Sequence, residues 1–162
     1  MGDDTEAARV LDDAELLGSL DFNRDVVVRK VEGLTFEQAT SVKTPSGVTL
    51  LGIVKHLAWV ERDWFETCLL GTPPDPADID ESFRVDPSSS VEEIVGDYLD
   101  TCARSRRTVA DAASLDVETR TPHWFFGIVT IRWILLHMIR ETARHAGHQD
   151  ILRELTDGRT GF

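Results

Sequence analysis

The sequence predicts an all-α protein, a four-helix bundle with a long crossover between its second and third helices. Three observations carry this. Four long stretches repeat apolar residues at helical spacing, and none alternates with the period of two that a half-buried strand requires. The connection in the middle of the chain is also far longer than antiparallel neighbours need.

The first helix covers roughly residues 11 to 32, with Leu16, Leu17, Leu20, Val27, Val28 and Val31 on its apolar face and Gly33 ending it. Thr35 can cap a short turn through Phe36, Glu37 and Gln38. Pro45, Ser46 and Gly47 break the chain, and Thr49 then opens a second helix running to about Leu70, with Gly71 suited to the residue beyond its end. Residues 72–90 hold four of the six prolines and no helical period, so this segment reads as a true connection. Extended, it can reach ~60 Å, against ~33 Å for a 22-residue helix. A connection of that reach lets the chain travel back along the bundle, so that the second and third helices run parallel in an up-down-down-up order. Ser90 and Glu93 form a capping-box signature for a third helix over about 91–113. After a loop carrying Pro122, His123 and Trp124, the fourth helix starts near Thr130 and stops before Gly158.

A chain of 162 residues suits a single domain with a substantial core. Its net charge of −12 repels nucleic acid and anionic membranes, and the densest basic cluster, Arg104, Arg106 and Arg107, is too small to offset it. No apolar run reaches the ~20 residues that cross a bilayer. The acidic N-terminus reads as a solvated flexible tail over residues 1–10 with no secretory or transit pattern, which places the protein in the cytoplasm. Cys68 and Cys102 stand alone in sequence and read as buried packing residues.

The chemistry concentrates on the fourth helix. His137, Glu141, His145 and His148 fall within IRWILLHMIRETARHAGHQDILREL. Four residues turn a helix by only about 40° beyond a full circle, so Glu141 and His145 share a stripe and offer one oxygen and one nitrogen a turn apart. Such a pair cannot complete a metal site alone. His56, at the edge of an apolar stripe in LLGIVKHLAWVERDWF, can supply a second imidazole from the second helix. Two nitrogens and a carboxylate oxygen suit zinc, nickel, manganese or iron, with positions left for water or substrate. His137, one turn before Glu141, is open to two readings, a packed core histidine or a group supporting the ligands. His123 reads as loop structure that can line a substrate mouth, Asp63 as an exposed carboxylate, and the four tryptophans as packing residues.

The segments PSGVTLLGIVKHLAWVERDWF at 45–65 and IRWILLHMIRETARHAGHQDILREL at 131–155 resemble the DinB-like superfamily of metal-binding four-helix bundles, and within it the DUF664 branch. The resemblance spans nearly the whole chain. It implies a divalent ion held by His56, Glu141 and His145. The carboxylate version is similar to the bundle domain of mycothiol-dependent maleylpyruvate isomerase, which implies zinc and mycothiol as co-substrate. The resemblance also implies pairing as a homodimer. Where many relatives carry Gln this chain has His148, which can act as a proton carrier, a supporting group or a fourth ligand. The isomerase has a further C-terminal domain, so its own reaction does not transfer. The expected activity is a metal-dependent transfer of a low-molecular-weight thiol to an electrophilic small molecule, with His148 as the catalytic proton handler. Two other readings stand beside it, a hydrolase activating water at the same ion and a non-enzymatic, stress-related metal-binding bundle. The chain has no Glu-x-x-His and no His-Glu-x-x-His motif, which sets aside di-iron carboxylate and zinc-protease patterns.

Overall fold

The computed structural model describes residues 12–161. Residues 1–10, expected as a solvated flexible tail, lie outside these residues. Helix α1 (Asp13–Arg29) starts on a capping box between Asp12 and Glu15, and Asp13 and Glu15 place negative charge in its first turn. Thr35 and Gln38 form a second capping box at the single-turn α2 (Phe36–Ala39). Thr49 caps α3 (Leu50–Arg62) by accepting from the Gly52 amide. α3 then passes directly into a π-helical turn over Asp63–Cys68, where the sequence suggested plain α-helix to about Leu70. Ser90 and Glu93 cap α5 (Val91–Ala110) and Thr130 caps α6 (Ile131–Asp157), which closes on Gly158 at φ 78°. The described residues contain only isolated bridges and no strand, and none of their helices is long and apolar enough to cross a membrane.

Residues 72–90 differ from the expectation of a wholly irregular connection. They contain one helical turn, α4 (Ile79–Ser82), capped by Asp78. A single capped turn is too short to leave an apolar period in the sequence, and its stability comes from what it docks against.

Contacts between helices fix the directions. Arg62 reaches Asp97 and Thr101 while Arg104 reaches Glu66, so α3 and α5 run parallel. Asp13 meets Arg132 and the Lys30 carbonyl meets Arg153, so α1 and α6 are parallel too. His56 lies beside Glu141 while Leu50 lies beside Gln149, which makes α3 and α6 antiparallel. This is the up-down-down-up order. The core has two apolar clusters. One is built around Val27, Ile53, Leu57 and Tyr98, the other around Leu20, Trp64, Phe65 and Met138. In sequence, Arg24 falls between the members that the two clusters draw from α1, and Glu61 follows Val60 of the second cluster near the end of α3. They form a buried two-point ion pair, Nε to Oε1 at 2.8 Å and a terminal nitrogen to Oε2 at 2.7 Å.

The crossover comes nearest to α3 at Gly52. A Cβ there would lie 2.5 Å from the Phe83 carbonyl oxygen, a contact with backbone that cannot swing away. Lys55, one turn along, donates to the Glu81 and Arg84 carbonyls and so ties the end of α4 to α3. Alanine is favoured over glycine within a helix by about 1 kcal/mol, yet Gly52→Ala is expected to destabilise the protein by about 1–3 kcal/mol because the crossover must shift. Gly96→Ala on α5, where a Cβ meets open space, is expected to stabilise it by about 0.5–1 kcal/mol. Urea unfolding of both variants checks the pair.

Candidate metal centre

His56 owes its orientation to the crossover. The Phe83 ring stacks on its imidazole at 3.8 Å and 13°, and its Nδ1 lies 2.7 Å from the Ser82 hydroxyl oxygen. That hydroxyl gives its one hydrogen to the Ile79 carbonyl at 2.6 Å. It therefore accepts from His56, so Nδ1 carries the proton and Nε2 carries a lone pair. The lone pair faces Glu141 Oε1 at 3.8 Å. His145 Nε2 lies 3.0 Å from the same oxygen, and its ring stands 5.0 Å from that of His56. One potential ligand atom from each of the three side chains lies within 4.8 Å of the other two, and among the described residues no other group of histidines, cysteines and carboxylates converges this way.

The electrostatics of this corner favour a cation. Hydrogen bonding from His145 holds the Glu141 carboxyl well below the usual carboxylate range, while burial lowers the His56 pKa despite the nearby charge. At neutral pH an ionised carboxylate thus faces a neutral imidazole nitrogen with its lone pair outward. Two electron pairs pointed at each other repel, and a cation between them removes the conflict. The donor set, two imidazoles and one carboxylate, fits a divalent ion with open coordination positions.

A cavity of about 260 Å³ opens on all three side chains. Trp59, Phe83 and Phe126 give it aromatic walls, and Asp63, His123 and Arg144 give it polar edges. A second cavity of about 370 Å³ shares only Phe83 and His145 with the first and is otherwise largely apolar. It is the larger of the two, but it touches neither His56 nor Glu141, so the smaller one is the candidate chemical site.

The remaining histidines separate by position. His148 is exposed, 5.5 Å from the His145 ring, and lines the second cavity. His137 is half-buried in the first cavity, stacked on Trp133 at 5.1 Å and 7° and 5.1 Å from Trp64. The rings of Trp64, Phe126 and Trp133 surround it, and burial lowers its pKa. His123, expected in a loop that can line a substrate mouth, does line the first cavity; Asp63, expected as an exposed carboxylate, is half-buried there beside it, and burial raises its pKa. Trp64 packs in the core as expected, whereas Trp124 is 77% exposed at the cavity rim because the loop that carries it stands clear of the bundle. Ser82 left no mark in the sequence. Gly52 did leave one, since a glycine one turn before a candidate ligand on the same helix face signals close backbone approach.

Cys68 and Cys102 are buried and unpaired. Burial pushes both thiols up to about 12, with the charges of Asp63 and Glu61 respectively adding to it. A disulfide-exchange reagent at pH 7.5 is expected to find no reactive thiol in the folded protein and both after denaturation. Ser82→Ala removes the acceptor that fixes the His56 tautomer and is expected to weaken divalent-metal binding about tenfold, read by competition with a chromogenic chelator.

A family model described as Mycothiol-S-transferase matches residues 15–158. No curated protein matches the chain.

Proposed function

We propose, from the premise that this chain belongs to the mycothiol-S-transferase family, that it joins a low-molecular-weight thiol of the mycothiol type to an electrophilic small molecule, using a divalent ion held by His56, Glu141 and His145. The observation that supports this most is the lone pair of His56 turned on an ionised carboxylate at the head of an aromatic-walled cavity. Bound there, an ion such as zinc lowers the pKa of a thiol that reaches it, so that thiolate is available near neutral pH.

The chain's own groups supply the rest. Ser82 and Phe83 hold the His56 ring, so that its nitrogen does not have to be reoriented when a ligand arrives. Arg144 lies 3.3 Å from Glu141 with its side chain mostly exposed, where it can turn toward an anionic group on a substrate. Trp59, Phe83 and Phe126 exclude water from the reacting atoms. His148, beside His145 on the neighbouring cavity, is assigned to carry the thiol proton to solvent. Both cysteines of the chain are buried and protonated, which leaves the nucleophilic sulfur to the co-substrate.

Purified protein is expected to bind one equivalent of divalent metal, and His145→Ala to bind none at micromolar concentration. With mycothiol or a simple thiol and an electrophile, the metal-loaded protein is expected to accelerate S-alkylation about 100-fold or more over His145→Ala. A wild-type rate equal to that of the variant would remove the transferase reading, and hydrolysis of esters or amides by the same preparation would replace it with water activation.

A further inference from the structure

The cavity has a second polar end. Asp63 lies seven residues beyond His56, roughly 10 Å along the helix, and His123 faces it from the loop before α6. The imidazole of His123 is fixed on every side. It stacks on Trp64 at 4.4 Å and 11°, and its Nδ1 accepts from the Phe125 and Phe126 amides at 3.1 and 3.3 Å. The tight turn that brings those amides round is closed by paired hydrogen bonds between His123 and Gly127, with Gly127 at φ 71°. With Nδ1 engaged as an acceptor, the proton sits on Nε2. Nε2 points toward Asp63 Oδ2, but at 3.6 Å the two are too far apart for a hydrogen bond. The N–H donor of a side chain only 9% exposed is therefore left without a hydrogen-bond partner among the described residues, beside a carboxyl group, in the cavity that opens on His56, Glu141 and His145.

We propose that Asp63 and His123 form the subsite for the oxygen of the electrophile, and that this electrophile is a planar conjugated carbonyl compound. The inference rests on the transferase reading for its chemistry and on the Asp63–His123 geometry for its location. An oxygen seated at that end accepts from His123 Nε2. The attacked carbon must lie toward His56, Glu141 and His145, so carbon and oxygen are separated by a spacer. An epoxide or alkyl halide has no such spacer, whereas an alkene conjugated to a carbonyl does, and its flat skeleton suits walls made by Trp59, Phe83 and Phe126.

In the reaction, the thiolate sulfur bonds the β-carbon, the C=C π pair becomes a double bond between the α-carbon and the carbonyl carbon, and the C=O π pair moves onto oxygen, where His123 Nε2–H holds the developing charge. Asp63 gives a proton to the α-carbon and regains one from solvent, while the thiol proton leaves to solvent. The net change is addition of S–H across the double bond, with no change in redox state. His123 acts as a neutral donor and not as a base, since a second proton on Nδ1 would oppose two amide N–H groups. Burial lowers its pKa and raises that of Asp63, in keeping with both roles.

Two variants test this. His123→Asn keeps an acceptor for the two amides and loses the Nε2 donor, while Asp63→Asn keeps a polar group and cannot release a proton. Tryptophan fluorescence of the full-length protein without thiol would be titrated with an unreactive saturated aryl ketone and with the matching hydrocarbon. The preference for ketone over hydrocarbon is expected to fall about fivefold in His123→Asn. With thiol present, the ratio of kcat/KM for a conjugated ketone to that for a benzyl halide is expected to fall at least about tenfold in Asp63→Asn. Ketone and hydrocarbon weakening together, or both electrophiles losing rate in proportion, would overturn the subsite. A wild-type protein that prefers ketone through His123 but transfers thiol to neither electrophile would uphold the oxygen site and overturn the transferase reading. Melting temperatures of both variants separate these outcomes from unfolding.

Discussion

The close approach of the crossover to α3 at Gly52 is the constraint on which the site depends. Only a residue without Cβ lets the Phe83 carbonyl come so near, and that approach delivers Ser82 and Phe83 to His56 together. One hydroxyl then decides which imidazole nitrogen is bare, and one ring decides the plane in which it lies. Lys55 holds the same segment from the next turn by satisfying carbonyls at the end of α4. Three residues on one face of α3, Gly52, Lys55 and His56, thus turn a long loop into a wall of the cavity. The parallel course of α3 and α5 makes this possible, because a chain returning along the bundle must pass over the outside of α3.

Much of this was legible in the sequence where the signal is local. The i, i+4 spacing of Glu141 and His145 places both on one stripe, and the three capping boxes that start α1, α2 and α5 are short-range patterns. The proline-rich stretch announced the crossover by its length. What escaped depends on partners distant in sequence. Ser82 meets His56 across 26 residues from an aperiodic segment. Asp63 falls on the His56 face of α3 by simple periodicity, and it would be exposed there but for the His123 loop sixty residues away. No local pattern carries that information. His123 itself sits in a His-Trp-Phe-Phe-Gly sequence whose glycine marked a tight turn, but the direction of the ring follows from its packing on Trp64.

The chain's sulfur chemistry narrows the possibilities for the reaction. Both thiols lie in the interior, Cys68 at the end of the π-helical turn in the second apolar cluster and Cys102 in the first. A thiolate there would need desolvation that burial opposes, and the neighbouring acidic residues raise the cost further. A protein whose family transfers a thiol therefore keeps its own thiols out of the reaction. On the proposed reading, that separation would protect the cysteines from the electrophile.

Two largely buried glutamates show why only one of them is a candidate ligand. Glu61 is 0% exposed, and both its oxygens are engaged by the guanidinium of Arg24 in a matched two-point pair. Its charge is neutralised and its lone pairs are directed, so a metal would have to displace a buried arginine, leaving that cation without a partner at a cost of several kcal/mol. Glu141 lies at the edge of the cavity among imidazoles. Its one full cation, Arg144, is a side chain 64% exposed, and water screens it. A divalent ion can replace that contact without stranding a charge in the core, and it can also satisfy the His56 nitrogen, which no donor among the described residues reaches. The same residue type thus serves as internal cement in one place and stands as a candidate ligand in the other, and the difference lies in whether its counter-charge is buried with it.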